Sequence, residues 1–243
     1  MLVDKSEYLS SGIHIGMKTC SLHMKQFVYK TREDGLSVFN LQEVDNRIAN
    51  AIHILSKYKK ILVVSNKDVS GTPITKFAEI VGGKAITGRL SPGTLTNPSY
   101  RDFYEPDIVI VTDPEIDAQA IEEAKKRRVP IIGLCGTSNN PNDLDFIIPV
   151  NNNGRKAIAL LFWILARGLL KSWGKIKSDE EFKSTLKDFG DIAKPKKPGT
   201  AGELDLGGDF DVDIDIEIQS DGKGDKNIKN KKVRKVKTEK AAS

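Results

Sequence analysis

The residues best placed to do chemistry in this sequence are cations set beside small and amide side chains. Arg89 and Arg101 flank Ser91-Pro92-Gly93-Thr94-Leu95-Thr96-Asn97. The turn-forming backbone of that run can come close to a phosphate while Thr94, Thr96 and Asn97 donate hydrogen bonds. Asn151, Asn152 and Asn153 precede Gly154-Arg155-Lys156, where an apolar helix is predicted to begin. That spot combines amide donors, unpaired backbone N–H groups, the positive end of a helix and two cations. Positive side chains in a first helical turn are unfavourable for the helix alone, and an anionic partner relieves the conflict. Lys18, Lys25, Lys30 and Arg32 crowd the N-terminal segment. This pattern suits RNA phosphates, although solubilising surface charge also accounts for it on spacing alone.

Signals for covalent or metal chemistry are thin. Cys20, His23 and His14 offer three possible ligands without a C-x-x-C pair, which is a poor basis for a zinc site. Neither Cys20 nor Cys135 has a His and acid pair to activate it, and no G-x-S-x-G occurs. His53 shares a polar helix face with Asn46, Asn50 and Lys57, where imidazoles rarely find converging partners. Asp68 and Asp113 resemble a carboxylate pair, but helix capping and turn formation explain both. No phosphate-binding G-x-x-x-x-G-K-[ST] or G-x-G-x-x-G is present, so no cofactor, metal or small-molecule substrate is expected.

The elements that position these residues read as strand-then-helix units. Phe27-Val28-Tyr29 and Leu36 to Phe39 are the first strand signals, expected to be buried on both faces, and Asn40 caps a helix with Glu43 three positions on. Leu41, Val44, Ile48, Ala51, Ile52 and Leu55 recur along it at helical spacing. Strand 61–64 leads through Ser70-Gly71-Thr72 to a helix with Pro73 at its first position and Gly82-Gly83 after it. A short strand at Ala85-Ile86 precedes the long polar loop 88–104. Strand 107–111 then meets Asp113, which is expected to cap a helix reaching Arg128. Strands at 130–135 and 146–150 follow, and an apolar helix runs to about Leu170. Such alternation implies an α/β fold with a mainly parallel sheet covered on both faces. Beyond Trp173 the capping box Ser178 to Glu181 announces one amphipathic helix closed by Gly190.

The 243 residues can hold one large domain or two small ones. Expected divisions are a core at 1–173, a C-terminal amphipathic helix at 174–192, and a linker and charged tail at 193–243. The net charge of +5 hides an uneven distribution: 201–222 carry eight acids and no base, and 223–243 carry nine bases against two acids. Residues 209–218 alternate acidic and apolar side chains, a period that suits one strand added to a neighbour's edge. Two cysteines cannot form a disulfide framework, and the N-terminus shows no targeting pattern, so an intracellular, cytoplasmic setting is expected. The longest apolar run, 157–166, is too short to cross a bilayer, and no membrane partner is expected.

Several short motifs occur in an order that is similar to a known family. They are Gly12-Ile13-His14-Ile15-Gly16, Gly93-Thr94-Leu95-Thr96-Asn97-Pro98, Glu105 to Pro114, Asp117-Ala118-Gln119-Ala120-Ile121, Pro130 to Cys135, and Ile148 to Ala157. Over about residues 8 to 170 the chain resembles the archaeal form of the second small-subunit ribosomal protein family. The resemblance implies a flavodoxin-like three-layer fold, no catalytic activity, and a seat on small-subunit ribosomal RNA near the junction of head and body, beside neighbouring ribosomal proteins. Bacterial members carry a long helical hairpin after the Thr-Leu-Thr-Asn motif, whereas here only 98–104 separate it from the next strand. Gly136 stands where members usually have Asp, and nothing from Glu203 onward matches.

The resulting expectation is an RNA-bound scaffold whose contacts are Lys18, Lys25, Lys30, Arg32, Arg89, Thr94, Thr96, Asn97, Arg101, Asn151, Asn152, Asn153, Arg155 and Lys156. A second reading is a phosphosugar- or nucleotide-binding enzyme using the strand-end loops 66–72, 112–115 and 135–142. A third is a ribosome-associated module working through its charged tail.

Overall fold

The computed structural model describes residues 1–176, 181–182 and 184–190. The capping box opened by Ser178, the linker, the alternating run 209–218 and the basic end lie outside the described residues.

The chain opens with a helix the sequence patterns missed, α1 (Lys5–Ser11), stopped by Gly12 in the left-handed conformation. Next come β1 (Val28–Thr31) and β2 (Ser37–Phe39), an antiparallel pair forming a sheet of their own. The expected burial of the first strand on both faces is therefore corrected: β1 is largely exposed, and only β2 is buried. Asn40 caps α2 (Leu41–Leu55) as predicted, its side chain accepting from the Gln42 N–H.

The main sheet contains β3 (Ile61–Ser65), β4 (Lys84–Thr87), β5 (Ile108–Val111), β6 (Ile131–Cys135) and β7 (Phe146–Pro149). Its order is β4-β3-β5-β6-β7 and all its pairings are parallel, the flavodoxin-like arrangement in which direction reverses between β3 and β5. Connecting helices are α3 (Gly71–Val81), α4 (Ala118–Arg127) and α5 (Arg155–Ser172), with the short α6 (Leu186–Gly190) behind. Two boundaries differ from expectation. Pro73 is the third residue of α3, because Gly71 and Thr72 already join the helix. Asp117, not Asp113, precedes α4, because Asp113 turns back to accept from the Glu115 N–H.

Period-two alternation explains why the strands read as continuous apolar runs. Ile61, Val63, Ile108 and Ile110 join the core shared with α2, α3 and α5, while Leu62, Val64, Val109 and Val111 join Ala120, Ile121 and Ala124 of α4. The long 88–104 loop is not purely polar: Leu90 and Leu95 are buried in that second core. Nearly every apolar residue of α5 is buried, and Phe162 meets Phe77 of α3 with ring centroids 5.4 Å apart. Each such side chain contributes roughly 1.5–3 kcal/mol by leaving water.

Candidate nucleic-acid interface

In an open parallel sheet, ligands bind outside the carboxyl ends of the strands where the strand order reverses. In this molecule that crevice is filled by the chain's own side chains. Lys67, on the loop after β3, places Nζ 2.5 Å from an Asp113 carboxylate oxygen on the loop after β5. The same ammonium donates to the Asn152 carbonyl at 3.2 Å and to Asn153 Oδ1 at 2.6 Å, tying in the loop after β7. Asn139, after β6, donates to Asp113 and accepts from the Gly136 N–H and from Asn152. Asn152 also donates towards the Thr112 and Leu134 carbonyls.

Beneath this layer Asp117 accepts from the Asn66 N–H at 2.9 Å and from Thr112 and the Asp113 N–H at 3.3 Å. Burial pushes its pKa up to about 6, against the lowering effect of those donors. Ser65, Ser70 and Thr112 close the network through hydroxyl contacts. The N–H groups and the cation that would greet a phosphate are already engaged by internal carboxylates.

A similar substitution occurs in the 88–104 loop. Glu123 of α4 is buried and accepts from the Gly93 N–H at 2.8 Å, the Leu95 N–H at 2.9 Å and Gln119 at 2.9 Å. Burial alone would raise its pKa, but these donors outweigh it and hold the carboxyl below its usual range. The amides expected to cradle a phosphate instead bind this carboxylate. Thr94 and Asn152, both expected as RNA contacts, are buried and spend their polar groups inside the protein. Thr96 leans on Glu123, and Asn97 caps the local turn by accepting from the Ser99 N–H. Asn151 binds the Gly12 carbonyl and the Asn153 N–H, so of the three asparagines Asn153 alone is exposed.

The predicted cations behave differently. Lys18, Lys25, Lys30, Arg32, Arg89, Arg101, Arg155 and Lys156 are all exposed. None of them forms an ion pair among the described residues, whereas Lys67, Lys76, Lys125 and Arg127 do. Five of them share the carboxyl-end side of the sheet. Arg89 borders a recess with Asn66 and Asp117, and Arg155 and Lys156 open α5 directly after Gly154. Lys18 follows Met17, whose N–H donates to Thr137 on the loop after β6, and its side chain lies near Gly35 of the hairpin turn that holds Arg32. Lys25, Lys30 and Arg101 are exposed as well. Among the described residues no three His, Cys, Asp or Glu side chains are grouped to hold a metal, and no helix is long and apolar enough to cross a membrane.

The model of the family described as ribosomal protein S2 matches residues 8–101 and 101–172. The chain belongs to the ribosomal protein S2 family. It is 44% identical over 191 residues to the small ribosomal subunit protein uS2 of Thermoplasma acidophilum, covering 78% of this chain and 96% of that one. It is 42% identical to the uS2 proteins of Thermoplasma volcanium and Staphylothermus marinus, each over 78% of this chain and over 96% and 87% of theirs. Within the S2 family the chain is of the archaeal type.

The S2 motifs used to recognise the chain prove to be mostly joints of the fold. Gly16 is seated where a Cβ would come within 2.3 Å of Thr137, and its N–H donates to the Ser37 carbonyl. Asn151 binds back to Gly12 and Ile13 through its side chain and N–H. Gly136, outside those motifs, is also closely packed, because a Cβ there would lie 2.9 Å from Asn152 Oδ1. Sequence reasoning missed Lys67, Glu123, Asn139 and Asp117. Lys67, Asn139 and Asp117 are visible near strand ends and a helix start, but the partners they and Glu123 reach, up to 86 positions away, are not.

Proposed function

We propose that this chain is a structural constituent of the small ribosomal subunit that binds ribosomal RNA and neighbouring ribosomal proteins, in the cytoplasm and without enzymatic activity. Membership of the ribosomal protein S2 family supports the ribosomal role, and its relatives bear the name of a small ribosomal subunit protein. The observation that carries the RNA reading is the contrast between two sets of charges. Inward cations and amides are matched by Asp113, Asp117 and Glu123, whereas Lys18, Arg32, Arg89, Arg155 and Lys156 project from the strand-end side without an acid partner among the described residues. Unpaired cations on one side of a rigid domain suit phosphates, which fix orientation without reading sequence. Exposed Met17 and Ile116 on the same side offer apolar contact to adjoining proteins. The proposed seat is near the junction of head and body.

Nothing in the crevice favours a nucleotide-binding enzyme, because the loops such an enzyme would use are cross-linked by Lys67, Asn139 and Asn152. Cosedimentation separates the readings. The chain is expected to remain with small subunits through a wash at raised salt, and a chain released quantitatively at low salt would overturn the assignment.

A further inference from the structure

A broad groove lies between α1, the His14 segment and the β1–β2 hairpin. This groove measures about 820 Å³, within the range that holds small organic ligands. Lys5, Lys30 and Arg32 line it together with Glu33 and Asp34, so cations outnumber acids. Tyr29 also lines it and is 71% exposed, the second most exposed large apolar or aromatic side chain among the described residues after Leu22.

The backbone explains why Tyr29 stands out. Val28 pairs with Phe39 and Lys30 with Val38, so Tyr29 is the extra residue of a bulge. A bulge breaks the alternation of side chains and re-aims one of them, which lets Tyr29 and its neighbour Lys30 border the same groove. His14 closes the inner side of the groove. It is only 6% exposed, it forms part of the groove wall, and Nδ1 has no hydrogen-bond partner. Burial, aided by nearby Arg32, lowers its pKa against the opposing effect of the Tyr8 backbone.

We propose that this groove receives an unpaired nucleotide of the RNA, its base stacked on Tyr29 and its phosphates held between Lys5, Lys30 and Arg32. This rests on the RNA-binding reading above and extends it from phosphate contact to a single-stranded element. An exposed aromatic beside cations on a short strand is the arrangement by which unpaired bases are held, whereas duplex RNA has no free base face to offer.

The test uses the full chain and two probes, a short unstructured oligoadenylate carrying 2-aminopurine and an RNA duplex of the same length. The parent is expected to bind both at low salt and to quench the 2-aminopurine. Tyr29→Ala should lose about tenfold in oligoadenylate affinity and most of the quenching, with duplex binding unchanged. Tyr29→Trp should restore both, and Lys30→Gln should weaken affinity while keeping the quenching. Tyr29 contributes little to the core, so thermal unfolding of Tyr29→Ala should match the parent. Oligoadenylate affinity and quenching that survive Tyr29→Ala would overturn the groove assignment while duplex binding still upheld the phosphate reading. Failure of the parent to bind either probe would overturn both.

Discussion

Lys67 Nζ and Asp113 Oδ2 stand 2.5 Å apart with both side chains at most 10% exposed, and this pair joins the loops on either side of the point where strand order reverses. Removing one partner of a buried pair leaves the other uncompensated, at a cost of about 3–5 kcal/mol. Lys67→Met is therefore expected to lower the unfolding free energy by that amount in a denaturant titration. A cation held ready for a ligand would behave differently, and unchanged stability in this variant would contradict the structural role.

Glu123 holds the 93–96 turn through two backbone N–H groups. Glu123→Gln offers one carbonyl oxygen where two carboxylate oxygens now accept, so about 1–3 kcal/mol of stability should be lost. The local signature is faster amide hydrogen exchange at Gly93 and Leu95 than at Ile110. Uniform exchange across these positions would show that the turn does not depend on the carboxylate.

Asp117 gives the fold a pH dependence of known sign. Its pKa is raised from 3.8 to about 6 in the folded chain, so the native state holds this proton more tightly than the unfolded one. The stabilising effect of that protonation is present below about pH 4 and fades as pH rises towards 6, by up to about 1.4 kcal/mol per pH unit inside the window. Asp117→Asn removes this contribution. The difference in unfolding free energy between parent and variant should change across pH 4 to 6 and be flat above it, and a difference constant with pH would contradict the account.

Much of this architecture was legible because its causes are local. β3, β5 and β6 announce themselves as apolar runs flanked by turns, and Asn40 with Glu43 marks the start of α2 where the structure has it. The hairpin was misread because Phe27 and Val28 look like the opening of a buried strand, yet β1 pairs only with β2 and faces outward. Site residues divide along the same line. Cations such as Arg155 and Lys156 are visible as charges at the head of an apolar helix, and they are exposed. Thr94 and Asn152 look identical to surface donors in sequence, and only the approach of Ser91, Asn139 and the Leu134 carbonyl shows that their polar groups are spent inside.

Arg155 and Lys156 begin α5 after Gly154, where no acidic residue occupies the first turn. Two exposed cations at the positive end of a helix are mildly unfavourable for the free protein. The double change to Gln should leave the thermal midpoint unchanged or slightly raised while weakening RNA binding by about 1–3 kcal/mol, the worth of one or two charge-assisted contacts. Early unfolding with normal RNA affinity would show that these side chains serve the fold instead.

The central claim, that exposed and unpaired cations hold this domain on ribosomal RNA, is tested most directly by the salt dependence of binding. The isolated chain should be titrated with structured small-subunit RNA at several monovalent salt concentrations, and log affinity plotted against log salt. Each phosphate contact releases close to one counterion, roughly 0.9 on B-form duplex, so several of Lys18, Arg32, Arg89, Arg155 and Lys156 acting together predict a steep negative slope. Replacing Arg155 and Lys156 by Gln should make that slope shallower by about 2. A parent slope near zero would contradict the account.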